Sequence, residues 1–229
     1  MAKITKMFYH LLEMSYLVYD FYFEKRGEKL TMKRLIVASN NEHKIKEIKE
    51  MLLQFPFEVL SLKDANINVD VEETGSTFME NAEIKASEIF KIAHGDMVLA
   101  DDSGLSVESL NGAPGVFSAR FAGEHGNTKE NNEKLLNLLD GTSESQRKAK
   151  FVCAMVLIVN ENKTVKVQGE SEGIITSEFR GEEGFGYDPL FFVSEFNKTF
   201  AQMSADEKNA ISHRGRALDK LKSELEELI

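Results

Sequence analysis

From Arg34 onward the chain alternates short apolar runs with stretches whose apolar residues recur every three or four positions, the signatures of buried strands and amphipathic helices. Arg34 to Ser39 carries Leu35, Ile36, Val37 and Ala38, and the stretch after it shows Ile45, Ile48 and Leu52 at helical spacing. Phe57 to Leu62 reads as a second strand. Thr77-Phe78-Met79-Glu80 has capping-box spacing and opens a helix expected to bury Phe78, Ala82, Ala86, Ile89 and Ala93 and to stop at Gly95. Met97 to Ala100 is a strand expected to end on Asp101 and Asp102, with Ser103-Gly104 as a turn. Successive side chains of extended backbone point to opposite sides, so the two carboxylates should serve different roles. The competing reading is a local Asx-type turn.

Asn127 or Thr128 can cap a helix that reaches Leu139, with Gly141 as its stop. Lys150 to Val159 is the most strand-like run, and Val165 and Val167 suggest a hairpin partner. A glycine-rich loop over 181–189 leads into a strand from Leu190 to Val193. Ser204-Ala205-Asp206-Glu207 repeats the capping-box spacing, and a last helix capped by Ser212 buries Leu218, Leu221, Leu225 and Leu228. Helices interleaved with strands, plus one hairpin, predict an α/β fold with a mixed sheet.

Composition narrows the picture. The chain of 229 residues is long enough for one substantial domain. Met7 to Phe23 is dense in aromatics but interrupted by His10, Glu13 and Asp20, so no membrane span is expected. Met32 opens the first strand like a fresh start, so residues 1–31 read as an extension and 32–229 as the domain. A net charge of −10 disfavours binding to a nucleic-acid polymer. Cys153 is the sole cysteine and sits in a buried-strand pattern, which fits a reducing cytoplasm.

Candidate chemistry clusters at the strand ends. Ser39-Asn40-Asn41-Glu42-His43-Lys44 joins a strand to a helix start, where free N–H groups and a lysine can cradle phosphate or simply cap the helix. Glu72 and Glu73 lie in a polar loop just upstream of a helix, either solvated or completing a site for a hard cation. Arg120 is either a surface residue or a phosphate contact. Phe185 or Tyr187, held among Gly181, Gly184 and Gly186, can stack on a base or fill the core, and Asp188 can accept hydrogen bonds from it. His213 and Arg214 occupy a helix first turn, where the dipole disfavours cations unless they face an anion or a carbonyl oxygen.

Ser39 to Lys44, Glu72 to Gly75, Thr77 to Lys85, Ala-Asp-Asp-Ser-Gly-Leu from Ala100, Gly-Phe-Gly-Tyr-Asp-Pro from Gly184 and Ile-Ser-His-Arg from Ile211 together resemble the inosine triphosphate pyrophosphatase family. The resemblance runs from Met32 to the C-terminus, and Ser39-Asn40-Asn41 replaces the family's usual Thr-Gly-Asn or Thr-His-Asn. It implies a long mixed sheet in two α/β lobes with the active site in the cleft between them. It also implies hydrolysis of ITP, dITP and XTP to monophosphate and pyrophosphate by a cytoplasmic homodimer, with no membrane and no nucleic-acid polymer involved. By that resemblance Asp102 is the base for the attacking water, and Glu72 and Asp102 hold Mg²⁺, with Glu73 and Asp101 as alternative ligands. Ser39, Asn40, Asn41, Glu42, His43 and Lys44 hold the triphosphate. Lys85, Ser103, Phe185, Gly186, Tyr187, Asp188, Lys208, His213 and Arg214 are the remaining expected substrate-binding residues. On this reading Lys44, Lys85 and Lys208 supply charge, and donors from His213 and Arg214 meet the six-position carbonyl. The alternatives are a related house-cleaning pyrophosphatase with a pyrimidine or other modified-base preference, and a non-catalytic nucleotide sensor.

Overall fold

Among the described residues seven strands make one sheet: β1 (Lys33–Val37), β2 (Phe57–Ser61), β3 (Met97–Val107), β4 (Lys148–Asn160), β5 (Lys163–Ile175), β6 (Phe191–Val193) and β7 (Lys198–Thr199). Their order is β2-β1-β3-β4-β5-β6-β7. The computed structural model describes residues 32–229, of which 34–229 form one compact unit. The expected extension over 1–31 lies outside the described residues. β1 runs parallel to β3, and the pairs from β3 through β7 are antiparallel, so the sheet is mixed as expected.

Among the described residues five α-helices accompany the sheet: α1 (Glu42–Leu52), α2 (Phe78–Phe90), α3 (Thr128–Leu138), α4 (Ala205–Ile211) and α5 (His213–Glu226). Their starts follow side-chain capping. Asn41, Thr77, Asn127, Ser204 and Ser212 each accept a backbone N–H of the first turn, and Thr77 and Ser204 complete capping boxes. α2 ends at Phe90, earlier than Gly95, and the chain reverses through His94 and Gly95 at φ 52° and 92°. No described helix is long and apolar enough to cross a membrane.

The largest departure from expectation is β3. It does not stop at Ala100 but runs on to Val107, pairing Asp101 with Met155, Asp102 with Ala154, Ser103 with Cys153 and Gly104 with Val152. The β4 ladder satisfies the backbone of the supposed turn. Gly104 serves close approach, because a Cβ there would lie 2.3 Å from Ser118 Oγ. β4 and β5 each span 13 residues, so the hairpin is also longer than Val165 and Val167 suggested.

Alternation along β1, β3 and β4 sorts the core into two faces. Leu35, Val37, Leu99, Cys153 and Met155 pack with Ile48 and Leu52 of α1 and with Leu218, Leu221 and Leu225 of α5. Ile36, Val98, Ala100, Ala154 and Val156 pack on Ala82, Ala86 and Ile89 of α2. Each aliphatic side chain buried in this way stabilises by about 1.5–3 kcal/mol. A third cluster forms beyond Gly104, where Leu105, Val107 and Phe151 meet Leu135, Tyr187, Phe191 and Phe200. Between the first two clusters and the third, β3 carries Asp101, Asp102 and Ser103.

Candidate active site

A cleft of about 1120 Å³ opens over this polar segment of β3. Period-two alternation sends its two aspartates to opposite faces, and their environments differ accordingly. Asp101 Oδ2 accepts Arg214 Nη2–H at 2.9 Å and Ser103 Oγ–H at 3.3 Å, and lies 3.5 Å from Lys44 Nζ. Burial alone would raise the Asp101 carboxyl, but the charges of Lys44, Arg214 and Lys85 hold it well below the usual carboxylate range. Asp102 faces α2, where its Oδ2 accepts Asn81 Nδ2–H at 3.1 Å. Burial, helped by the charge of Glu73, keeps the Asp102 carboxyl above its ordinary value despite Lys44 and Lys85. Asp101 is therefore a locked counter-ion, and Asp102 is the carboxylate available to take a proton.

The glutamate assignment is corrected. Glu73 lines the cleft and pairs with Lys85, whose Nζ also donates to the Asp101 carbonyl at 3.1 Å. Glu72 is exposed and does not line the cleft, whereas Glu73 is half-buried in it. Glu73 and Asp102 are thus the carboxylates that could hold a hard cation. Among the described residues no group of three or more His, Cys, Asp or Glu side chains is arranged for a metal ion. Two carboxylates are nevertheless a sufficient protein contribution for Mg²⁺, which commonly completes its shell with water and substrate phosphate. The donor set therefore fits that ion.

Ser39 through Lys44 line one wall. Their backbone donors are partly committed, since Asn41 Oδ1 accepts the N–H groups of His43 and Lys44 at 3.0 and 3.2 Å, and Ser39 Oγ accepts that of Asn41 at 3.2 Å. The cradle this wall offers is built mainly from side chains.

The glycine loop forms the opposite wall. Of its two aromatics, Phe185 faces the cleft, stacked on His43 at 5.1 Å between ring centroids and 13° between planes. Tyr187 is buried and its hydroxyl donates to the Ser118 carbonyl at 2.9 Å, so it anchors the loop and does not stack on a base. Asp188 also acts internally, with Oδ2 accepting Phe185 N–H at 2.8 Å and Lys208 Nζ–H at 2.6 Å. Gly184, at φ +75°, makes room for it, since a Cβ there would fall 2.2 Å from Asp188 Oδ2. The Gly186 carbonyl is held by Asn132 Nδ2–H at 2.9 Å.

One residue that the sequence reading missed ties the walls together. Glu47 of α1 accepts Lys208 Nζ–H at 2.7 Å and Arg214 Nη1–H at 2.5 Å. Burial would raise its carboxyl, and the two cations bring it below the ordinary value. Asp188, Lys208, Glu47, Arg214, Asp101 and Lys44 form a chain of alternating sign. The missed signal was positional, because Glu47 lies one helical turn beyond Lys44 on the same face.

This chain revises the expected recognition roles. Both Arg214 Nη atoms are held by Glu47, Asp101 and Ser103, leaving Nε as the buried atom without a partner. Lys208 is buried between two carboxylates at the ring end of the cleft, 4.8 Å from the Phe185 centroid, so it is not spare charge for phosphate. His213 stacks on Phe151 at 4.7 Å, and its Nδ1 is buried without a partner. Burial first, then the charges of Arg214 and Lys208, push the imidazole well below its usual range, so it is neutral near pH 7. Arg120 lines the cleft over the Phe117 ring at 5.2 Å and has no ion-pair partner among the described residues.

Fold and site together define an α/β protein whose cleft suits an anionic ligand carrying a flat ring. Residues 35–224 match the model of the Ham1 family, and the chain belongs to that family. A protein from Clostridium perfringens named dITP/XTP pyrophosphatase is 55% identical over 203 residues, 86% of this chain and 100% of its own length. Its namesake from Bacillus subtilis is 48% identical over 197 residues, covering 86% of this chain and 99% of its own. Among solved structures, the Staphylococcus aureus Ham1 protein superposes with a TM-score of 0.76 at 43% identity, covering 86% of this chain and all of its own. A HAM1 protein from Coxiella burnetii gives 0.77 at 43% identity with the same coverage.

Proposed function

We propose that this chain hydrolyses deaminated purine nucleoside triphosphates, ITP, dITP and XTP, to the monophosphate and pyrophosphate with the help of Mg²⁺. The observation that carries the reading is that Glu73 and Asp102 line the same cleft as Phe185 and the lysine-bearing helix start. The relatives named dITP/XTP pyrophosphatase support the choice of substrate.

In this mechanism Glu73 and Asp102 would hold the ion, which when bound would neutralise polyphosphate charge and orient water. Asp102 takes the proton of the water that attacks the α-phosphorus, a task open to it because Asp101 is held by Arg214, Ser103 and Lys44. Lys85, now paired with Glu73, and Lys44, now beside Asp101, turn to phosphate oxygens as the substrate's negative charge enters. Phe185 exchanges its contact with His43 for the purine ring. His213 and Arg214, both lining the cleft, would read the base edge.

The sealed single thiol fits a cytoplasmic setting, and family resemblance supports a homodimer. The test is pyrophosphate release from ITP, XTP, GTP, ATP, dTTP and UTP with and without magnesium. Preference for ITP and XTP, lost without the ion, is the expected result. Preference for dTTP or UTP would establish the pyrimidine-directed alternative, and binding without turnover would establish a sensor.

A further inference from the structure

Asn81 is the second residue of the site that the sequence reading did not single out. It lies in the first turn of α2, is fully buried, and uses both ends of its amide. Nδ2–H donates to Asp102 Oδ2 at 3.1 Å, while Oδ1 accepts the backbone N–H of Gly75 at 2.7 Å. Gly75 stands two residues after Glu73, in a stretch from 68 to 75 that has no regular secondary structure. The approach is close enough to require glycine, since a Cβ on residue 75 would lie 2.7 Å from both Asn81 Oδ1 and Glu80 Cβ. One side chain thus spans from the strand carrying Asp102 to the loop carrying Glu73.

Other contacts restrain that loop, and none can do the same work; Asn40 Nδ2–H, for one, reaches only Asp70 Oδ1 at 3.4 Å. Glu80 accepts Ser76 N–H and Oγ–H, both at 2.7 Å, and Thr77 N–H at 3.2 Å, but does not touch Asp102. Lys85 links Glu73 to the Asp101 carbonyl, but it is a cation, and a divalent ion arriving between Glu73 and Asp102 would compete with it for Glu73. The amide is neutral and points a donor at one carboxylate arm and an acceptor at the other loop's backbone, so its bridge survives when positive charge enters. Aspartate at this position could not donate, and an apolar side chain could neither donate nor accept.

We propose that Asn81 is a positioning residue that sets the spacing of Asp102 and Glu73 before the ion binds, and so fixes the affinity of the site for a divalent cation. This inference rests on the metal reading above and goes beyond it by assigning the preorganisation to one uncharged side chain. Groups that orient ligands in this way typically account for 10- to 100-fold in metal affinity.

The experiment is a titration of the full chain with Mn²⁺, following the electron paramagnetic resonance of the free ion, with no nucleotide and no turnover. Asn81→Ala should weaken uptake by about tenfold or more. Asn81→Ser, whose hydroxyl reaches one partner at most, guards against failure of the alanine variant to fold, and it should weaken uptake in the same sense. Ser76→Ala, which loosens the loop away from Asp102, should leave Mn²⁺ affinity within about twofold if the bridge itself is responsible. A folded Asn81 variant that binds Mn²⁺ like the wild type would overturn the inference, as would equal weakening in Ser76→Ala. Absence of Mn²⁺ uptake by the wild-type chain would instead refute the metal reading, and this inference with it.

Discussion

Replacing Glu47 by alanine tests whether the alternating ionic chain holds the two walls of the cleft together. Glu47 is shared by Lys208 and Arg214, whose side chains are 6% and 1% exposed, so its loss leaves two buried cations short of a counter-charge. Removing one partner of a buried pair costs about 3–5 kcal/mol. Lys208 keeps Asp188 and Arg214 keeps Asp101, which places the expected loss at the lower end, about 3 kcal/mol. For a chain of this size each kcal/mol moves Tm by about 2–4 °C, so Glu47→Ala should melt about 6–12 °C lower. Denaturant unfolding gives the free energy directly, and Glu47→Gln, which keeps shape and one acceptor oxygen, should fall between the two. The loss should also persist at high salt, because buried charges are poorly screened. A loss below about 1 kcal/mol, or one that vanishes in salt, would show that the cations find water instead and that the chain is not a structural tie.

Four further outcomes follow from the same geometry. Asp102→Asn should lower kcat by about 10²–10⁴-fold while the far-ultraviolet circular dichroism is unchanged, and wild-type turnover would remove the assigned base. Phe185→Ala should act mainly on KM, raising it by the about 1–3 kcal/mol that base stacking contributes, and a pure kcat effect would argue against stacking. His213 is depressed in the folded state, so below about pH 6.5 the unfolded chain binds the extra proton and stability falls as pH falls. One proton corresponds to at most about 1.4 kcal/mol per pH unit, and His213→Gln should flatten the slope between about pH 6.5 and 5.5; equal slopes would contradict the buried neutral imidazole. Gly169→Ala would place a Cβ 2.1 Å from the His213 carbonyl and 2.4 Å from Ala217 N, so α5 must shift at about 1–3 kcal/mol or more, with weakened substrate binding; wild-type stability and KM would show that α5 does not need that closeness.

What could be read from the sequence was whatever local pattern determines. Thr77, Ser204 and Ser212 announced their helices because capping is a matter of residues two or three apart. The leucines of α5 and the apolar runs of β1 and β4 were equally plain. Asp101 to Gly104 misled because polar residues and a glycine resemble a turn, and the β4 ladder that makes them strand is contributed from about fifty residues away. Position along the chain could not separate Glu72 from Glu73, since in a segment without regular structure only the tertiary packing decides which of two neighbours enters the cleft. Motif matching named Lys44, Lys85, Lys208 and Arg214, which all line the cleft, but not their pairing. That Lys208 and Arg214 are already neutralised depends on Glu47, which no motif flagged. Asn81 was hidden because a buried amide in a helix first turn looks like an ordinary polar position until both of its partners are located.

Cys153 lies under Asp101, wholly buried, with burial first and then the neighbouring carboxylate raising its thiol, and the chain has no other cysteine. A maleimide reagent should therefore ignore the native protein. Cysteines introduced singly on the exposed side of the glycine loop and on the solvent face of α1 would each be unique labelling positions, without first engineering the natural thiol away. A donor and acceptor dye placed there would report, in solution and during turnover, whether the ring-bearing wall closes on the lysine-bearing one.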